Sequence, residues 1–543
     1  MNKLFTPFKK LLIVVIILSM NPNLYSQDVS QYLIGQNAWM PSFKYSGKFE
    51  TLCPQLNAAG VKMIRIGGTN YNKPASGNNG LTNAQYDILI GAIKGAGAEP
   101  IVQLSDALTY QQAKDLVYYL NVTKNWGVKY WSIGNEPDLL GKTSTQIQTY
   151  ITTIAPGIRD ISASAIILGP DLSSYNATTM GQLLGGSSNI AGKDSKGRYF
   201  INCATFHCYR KYTDTDVESR IADLVSKVNS VNTSRTDNPL KWGLTEFNIT
   251  YDNDLESSAD NKVWSMYAGQ LMAEVYGLGI KYGAMTVTCW ATHENGGTRA
   301  GTDLGLFDAP TSYTGRSNYY HTQMLGLYKK STYMPTYIVQ GTAKVIATYD
   351  ATGYQVLIIN ETGTQQALTL RLDGGTTVIS NPLKIKLLNG SVAKEFVSYV
   401  EAYGTRLLVF DAAGNLTCNW RYCKTQSDAL QPPVVVLALA KVTGSENVAT
   451  LNESVEGSQE NTFTLFPNPT TEGYFTLKLN ETAQNEDVRI QVSDIHGRNL
   501  YNSTTKNTGT LRINFDKSWA SGLYMVTINY KNASINKKLF INN

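Results

Sequence analysis

Between residues 31 and 330 the chain alternates between short apolar runs and longer amphipathic stretches. Apolar or β-branched runs predict strands over 32–39, 61–68, 99–105, 130–135, 165–172, 200–209, 242–248 and 282–290. Helical periodicity predicts helices over 45–59, 81–97, 110–126, 144–162, 217–231, 257–278 and 318–329. Eight strands alternating with helices predict an α/β fold, a (β/α)8 TIM barrel over residues 28–331. A doubly wound sheet is the competing arrangement, but the number of units and the polar strand ends favour the barrel.

Beyond residue 331 the pattern changes to short strands separated by turn residues. Segments such as TAKVIATYD and YQVLIIN predict an accessory antiparallel β-sandwich over 332–413. Residues 414–461 are predicted to be a linker, because much of this stretch is rich in Ser, Asn and Glu. The apolar run PPVVVLALA within it fits a strand of either neighbouring domain. Residues 462–543 predict a second, small β-sandwich.

The first 27 residues have the pattern of a secretory signal peptide. Lys3, Lys9 and Lys10 precede an apolar run over 11–20, which is too short to span a bilayer. An uncleaved anchor is the alternative. We expect no transmembrane span in the rest of the chain. Loss of the three leader lysines lowers the formal charge from +5 to about +2, which is no electrostatic footprint for nucleic acid.

Cysteine and histidine usage bears on disulfides and metals. Six Cys in an exported protein permit disulfides, and Cys418 and Cys423 are the best candidates for a pair. With four His and no Cys-x2-Cys motif, we expect no metal site and no cofactor.

The last 80 or so residues carry three motifs in order. They are Phe-Pro-Asn-Pro at 466–469, Asp-x-x-Gly-Arg at 494–498 and Gly-Leu-Tyr at 522–524. This segment resembles the C-terminal sorting domain of substrates of the type IX secretion system of Bacteroidetes. The resemblance implies that the secretion machinery is a partner and that the protein is secreted or displayed at the cell surface. An ordinary β-sandwich binding module is the alternative.

Two glutamates end predicted strands of the barrel. Glu136 follows the fourth strand in the stretch KYWSIGNEPD, where Pro137 fixes the backbone after it. Glu246 ends the seventh strand in GLTEFN. Because the active sites of such barrels lie at the carboxyl ends of their strands, we expect these side chains to face each other across the mouth. Two facing carboxyl groups are what hydrolysis of a glycosidic bond requires.

At these residues the chain resembles clan A of the glycoside hydrolases, a group of (β/α)8 barrels. The resemblance implies that Glu136 is the acid/base, that Glu246 is the nucleophile and that Asn135 binds the sugar 2-hydroxyl. Retention of configuration then predicts carboxyl groups about 5–5.5 Å apart. Glu294, near the end of the eighth strand, is the rival to Glu246. Structural caps or ion pairs are the alternative for both glutamates.

Other strand ends supply candidate substrate-binding residues. Arg65 could keep the nucleophile ionised or form a structural ion pair. His207 and Tyr209 could bond Glu246 or the substrate, and a satisfied core histidine is the alternative for His207. Trp290 and Trp39 are candidate platforms for a sugar ring, or packing residues of the barrel.

The sequence therefore predicts a secreted retaining glycoside hydrolase that cleaves an extracellular polysaccharide. A glycan-binding or adhesion protein on an inactive barrel is the alternative. The sugar, its linkage, endo or exo action, and hydrolysis versus transglycosylation stay open, as does the oligomeric state.

Overall fold

The chain folds into two compact units, Met1–Lys441 and Val442–Asn543. The structure is a computed structural model. It describes residues 27–38, 48–72, 80–209, 216–250, 264–294, 303–308, 313–334, 337–338, 343–367, 370–371, 376–377, 383–389, 392–412, 414–437, 464–466, 470, 473–478, 487–494, 499–506, 508–515, 519, 522–530 and 533–541. The predicted signal peptide thus lies almost wholly outside the described residues and stays a prediction. Within these ranges, no helix combines the length and the apolar character that crossing a membrane requires.

The first unit is built on a closed barrel of eight parallel strands in sequence order. The strands are β1 (Ile34–Ala38), β2 (Met63–Ile66), β3 (Glu99–Leu104), β4 (Tyr130–Ile133), β5 (Ile166–Leu172), β6 (Cys203–Tyr209), β7 (Lys241–Asn248) and β8 (Val287–Cys289). β8 pairs with β1 through Ile34 and Val287, which closes the ring. The predicted (β/α)8 barrel is confirmed, and the doubly wound alternative is wrong.

Helices alternate with these strands and bury their apolar faces against the barrel. They are α1 (Lys48–Ala58), α2 (Asn83–Gly95), α3 (Tyr110–Tyr118), α4 (Ser144–Ile161), α5 (Ala177–Leu183), α6 (Val217–Asn232), α7 (Met266–Lys281) and α8 (Ser317–Tyr328). Short helical turns also cover Thr69–Asn72 and Tyr119–Thr123. Three helices begin at the same Thr-x-x-Gln capping box, with Thr82, Thr109 and Thr143 as N-caps. The small ribbon of β9 (Phe307–Asp308) and β10 (Thr314–Gly315) precedes α8.

A mainly antiparallel β region follows the barrel in the same unit. Its strands are β11 (Thr332–Met334), β12 (Tyr337–Ile338), β13 (Lys344–Asp350), β14 (Gly353–Asn360), β15 (Gln366–Ala367), β16 (Leu370–Arg371), β17 (Thr376–Thr377), β18 (Leu383–Asn389), β19 (Val392–Val400), β20 (Gly404–Asp411), β21 (Leu416–Cys423) and β22 (Val434–Leu437). The main sheet has the order β11-β13-β14-β20-β21-β22, and β15-β19-β18-β16 form a second sheet. A short helix, α9 (Lys424–Asp428), joins β21 to β22.

Two expectations about this region need correction. Residues 416–423 and 434–437 are strands of the main accessory sheet, so the predicted linker does not begin at residue 414. The run PPVVVLALA supplies β22, which pairs with β21. Cys418 and Cys423 are free and lie on the same strand, and five residues of strand separate them by about 16 Å. A disulfide between them is therefore impossible.

The main accessory sheet packs on α7 and α8 and shares one hydrophobic core with the barrel. That core includes Ile346, Leu357, Leu407 and Trp420 of the sheet together with the barrel strands and helices. The buried amide of Gln270 on α7 donates hydrogen bonds to the carbonyl oxygens of Asn360 and Gly404, at 3.1 Å each. The barrel and this sheet are thus parts of one folded body.

The second unit is a small β-sandwich, as predicted. Its strands are β23 (Thr464–Phe466), β24 (Tyr474–Lys478), β25 (Asp487–Asp494), β26 (Asn499–Lys506), β27 (Thr510–Asn514), β28 (Gly522–Tyr530) and β29 (Ala533–Ile541). They form one sheet of order β23-β24-β27 and another of order β26-β25-β28-β29. Phe475, Ile490, Trp519 and Val526 belong to its buried core.

Candidate active site

The structure brings Glu136 and Glu246 together at the carboxyl ends of β4 and β7. Carboxylate oxygens of these two residues and a ring nitrogen of His207 all lie within 4.8 Å of one another. Glu246 is buried, whereas Glu136 is partly exposed. His207 Nδ1 is 3.0 Å from Glu136 and 3.5 Å from Glu246, so the imidazole bridges the two carboxyl groups.

Local irregularities of the strands help to place these side chains. The register of β6 against β7 shifts between Phe206 and His207, and that of β7 against β8 shifts between Leu244 and Phe247. Such bulges re-aim side chains next to active sites. Glu136 has φ 48°, a left-handed conformation that is strained for a non-glycine residue.

Arg65 on β2 is the centre of the hydrogen-bond network. Its guanidinium is fully buried and donates to the side chains of Glu246 (2.7 Å), Asn135 (2.7 Å), Gln103 (2.9 Å), Asp171 (3.1 Å) and Asn37 (3.2 Å). A Cβ on Gly67 would lie 2.6 Å from the guanidinium carbon, so the chain must be glycine there. Arg65 therefore holds Glu246 and Asn135 at fixed positions and supplies positive charge to the site.

Glu246 has three polar neighbours that favour its ionised form. Besides Arg65 and His207, the Tyr209 hydroxyl donates to Glu246 Oε2 at 2.9 Å. Burial raises the pKa of Glu246, while the charges of His207 and Arg65 act in the opposite direction.

Glu136 has a different balance. Burial disfavours its charge, but the hydrogen bond and charge of His207, with the help of Arg65, lower the pKa of Glu136. Burial lowers the pKa of His207 itself, and the two glutamates more than offset this and raise it. The three groups titrate together, and the charge of His207 lowers the pKa of both carboxyl groups.

Trp290 and Glu294, which follow β8, provide an aromatic and an acidic side chain near the site. Trp290 is buried and packs in a cluster with Tyr209, Leu271 and Leu304. Glu294 accepts a hydrogen bond from the Leu304 backbone N–H at 2.9 Å, and burial raises its pKa to about 7. Trp290 and Tyr209 thus belong to one buried apolar cluster.

Several residues of this network were not singled out in the sequence. Asn37, Gln103 and Asp171 all accept hydrogen bonds from Arg65. Asn37 and Gln103 are polar residues inside apolar strands, which is a signal that sequence reading could have used. Asp171 stands in the run AIILGPDL, where only its charge marks it. Trp39 lies outside the described residues, so its role as a platform stays a prediction.

The spacing of Glu136, His207 and Glu246 would also allow them to hold a metal ion. However, Arg65 already places a positive charge 2.7 Å from Glu246, and a second cation at this buried carboxylate would be repelled. The cluster suits two carboxyl groups with an arginine counter-charge, and we assign no metal to it.

Comparison with known proteins identifies the second unit. A family described as "Secretion system C-terminal sorting domain" matches residues 464–542. The C-terminal unit is a secretion sorting domain. It directs the protein through type IX secretion to the cell surface or the extracellular space, which makes the secretion machinery a partner. A search of curated proteins finds no match to the chain.

Several solved structures of glycoside hydrolases are similar to this chain. A bacterial orthologue of human α-L-iduronidase is 9% identical, with a TM-score of 0.48, and the match covers 94% of this chain and 98% of that one. A family 39 glycoside hydrolase from Bacteroides cellulosilyticus WH2 is 15% identical, with a TM-score of 0.48 and coverage of 70% and 81%. The endoglucanase Cel44A from Clostridium thermocellum is 12% identical, with a TM-score of 0.45 and coverage of 70% and 96%. Similarity at this level assigns no activity.

Proposed function

We propose that the protein is a secreted retaining glycoside hydrolase that cleaves an extracellular polysaccharide. The observation that carries the proposal is the pair of carboxyl groups at the ends of β4 and β7, with oxygens within 4.8 Å of each other. Retaining glycosidases hold their two carboxyl groups about 5–5.5 Å apart, whereas inverting enzymes need about 6.5–9.5 Å to fit a water molecule between the pair. The sorting domain supports a substrate outside the cell.

In the proposed mechanism Glu246 attacks the anomeric carbon while Glu136 protonates the leaving oxygen. Arg65 and Tyr209 keep the attacking carboxylate ionised and oriented, since both donate to it at 2.7–2.9 Å. Glu136 then takes a proton from water, which attacks the covalent intermediate and releases the sugar. Asn135, held by Arg65, is placed to bond the 2-hydroxyl of the sugar.

The pKa directions in the free protein oppose these roles, because the pKa of Glu136 is lowered and that of Glu246 is raised. The assignment of roles rests instead on the strand positions and on the ion pair of Arg65 with Glu246. The charge of His207 is a main cause of the lowered pKa of Glu136, and the same charge also lowers the pKa of Glu246. When His207 is neutral, burial dominates at Glu136 and favours the protonated acid.

The test is sugar release from a panel of polysaccharides and aryl glycosides by wild type, Glu136→Gln and Glu246→Gln. We expect both variants to lose at least about 10²–10⁴-fold in kcat on substrates with poor leaving groups. On an aryl glycoside with an activated leaving group, Glu136→Gln should still form the intermediate, and azide should restore its turnover. Glu246→Gln should stay inactive there.

The matched control is Glu218→Gln, an exposed glutamate whose carboxylate pairs with Lys281. This variant should keep wild-type activity. Proton NMR of the first-formed product should show the anomeric configuration of the substrate. Inverted product would refute retention, and a wild type that binds glycans without cleaving any would indicate an adhesion protein on an inactive barrel.

A further inference from the structure

Asp171, at the end of β5, joins four parts of the barrel mouth. It is fully buried. Its Oδ2 accepts from Arg65 of β2 at 3.1 Å, and its Oδ1 accepts from the hydroxyl of Thr245 of β7 at 2.6 Å. The hydroxyl of Thr205 of β6 also donates to Oδ1. A buried carboxylate with this many donors is held in one orientation.

The backbone of Asp171 fixes Glu136 as well. The Glu136 N–H donates to the Asp171 carbonyl oxygen at 2.8 Å. Both residues have positive φ, 53° for Asp171 and 48° for Glu136, in a region that non-glycine residues rarely adopt. Such conformations persist only where the surroundings enforce them, and the hydrogen bond between these two residues is part of that enforcement.

Asp171 is also linked to Glu246 indirectly, through two other residues. Arg65 lies between the two carboxylates, at 3.1 Å from Asp171 and 2.7 Å from Glu246. Thr245, which donates to Asp171, immediately precedes Glu246 on β7. One positive charge is therefore shared between Asp171 and the proposed nucleophile.

We propose that Asp171 is a positioning residue for both glutamates. Its carboxylate orients Arg65 and balances part of the arginine charge, and its carbonyl fixes the backbone of Glu136. This proposal rests on the proposed function of the same site. It adds a residue that contacts neither the substrate nor the reacting atoms and acts through Arg65 and Glu136.

The charge on Asp171 acts on a defined set of neighbours. The titratable groups that sense it are Arg65 on β2, Glu136 after β4, Tyr150 on α4 and Cys203 on β6. Glu246 and His207 are linked to it through Arg65 and Glu136. Without this negative charge the positive potential of Arg65 acts undivided on Glu136 and favours the carboxylate, so Glu136 loses its proton at lower pH.

The test is the pH dependence of kcat/KM for Asp171→Asn. The basic limb of the profile reports the loss of the last proton from the coupled pair of Glu136 and Glu246. We expect this limb to move to lower pH by about one unit, together with a fall in kcat/KM at all pH values. Thr205→Val is the matched control, because it removes the hydrogen bonds of the Thr205 hydroxyl to the carboxylate and from the backbone N–H of Asp171 and keeps the charge. Its basic limb should stay at the wild-type position.

A folded Asp171→Asn with reduced activity and an unmoved basic limb would overturn the proposal, since a purely structural role predicts that result. Asp171→Ser is the second variant, because it removes the same charge with a smaller side chain. If neither Asp171 variant folds while Thr205→Val folds with an unchanged profile, Asp171 is a structural residue and the proposal is wrong.

A second readout separates this proposal from the proposed function. Carbon-13 labelling of the glutamate carboxyl groups, with Glu136→Gln and Glu246→Gln used for assignment, reports the titration of both residues by NMR without substrate. If the wild type cleaves no substrate, the proposed function fails, and the NMR titration still tests Asp171. A lower pKa of Glu136 in Asp171→Asn supports the positioning role, and an unchanged pKa overturns it.

Discussion

Replacing Glu274 by glutamine should stabilise the first unit at alkaline pH far more than at acidic pH. Glu274 lies on α7 and faces Glu361 and Lys344 of the accessory sheet. The Lys344 ammonium is 2.5 Å from Glu274 and 2.7 Å from Glu361, so two carboxyl groups compete for it. Burial, together with the hydrogen bond and charge of Glu361, raises the pKa of Glu274 to about 7. Lys344 lowers the pKa of Glu274, but by less than burial and Glu361 raise it.

The magnitude follows from this shift. The pKa of Glu274 rises from 4.5 to about 7 on folding, and about 1.36 kcal/mol per pK unit gives about 3 kcal/mol. Because the folded carboxyl group holds its proton more tightly than the unfolded one, wild-type stability falls as pH rises from about 4.5 to about 7. Glutamine has no proton to lose. The stability of Glu274→Gln relative to wild type should therefore rise by up to about 3 kcal/mol between pH 4.5 and 8.

Urea unfolding followed by circular dichroism at pH 4.5, 6 and 8 measures this difference. Asp160→Asn is the control of opposite sign, since hydrogen bonds from Lys196, Tyr110 and Arg198 lower the pKa of Asp160. The stability that Asp160 contributes is present above about pH 4 and is lost only at lower pH, so its variant should be destabilised equally at all three pH values. A stability difference for Glu274→Gln that stays flat or falls with pH would refute the reasoning.

Tyr209→Phe removes one donor from the buried Glu246 carboxylate and so raises the pKa of Glu246. We expect kcat/KM to fall by about tenfold to a hundredfold and its pH profile to shift to higher pH. Identical pH profiles for wild type and variant would argue against this contact. Gly60→Ala should destabilise the first unit by about 2–5 kcal/mol in urea unfolding, because Gly60 has φ 69° and a Cβ there would lie 2.3 Å from the Gly326 carbonyl carbon. Gly95→Ala is its matched control, with open space around the added Cβ, and should be neutral or stabilising by up to about 1 kcal/mol; equal effects would contradict the packing argument.

The barrel could be predicted because its strands are buried on both faces. Such strands leave continuous apolar runs, and YWSI of β4 and IIL of β5 are examples. Helix α5 was missed because its seven residues, ATTMGQL, are too few to show a helical period, and its start depends on the Asn176 cap. The accessory sheet was cut short at residue 413, although LTCNWRYC of β21 alternates apolar and polar positions as a half-buried strand does.

The residues of the candidate site could likewise be predicted only in part. Glu136 and Glu246 were found because each is an acid at the end of an apolar strand. Asp171 has the same local signature in β5, yet its importance depends on Arg65, Thr205 and Thr245, which come from three other strands. Contacts of this kind are fixed by barrel closure and by register shifts, which no local pattern encodes.

The common core of barrel and accessory sheet limits how this gene can be cut or recombined. A fragment ending at residue 331 would expose the apolar surfaces of α7 and α8 that Leu357, Leu407 and Trp420 bury. It would also leave the buried amide of Gln270 without its hydrogen-bond acceptors. Its product should aggregate rather than fold. The smallest segment that could transfer the site to another protein therefore extends through Leu437. It contains the accessory sheet as well as the barrel.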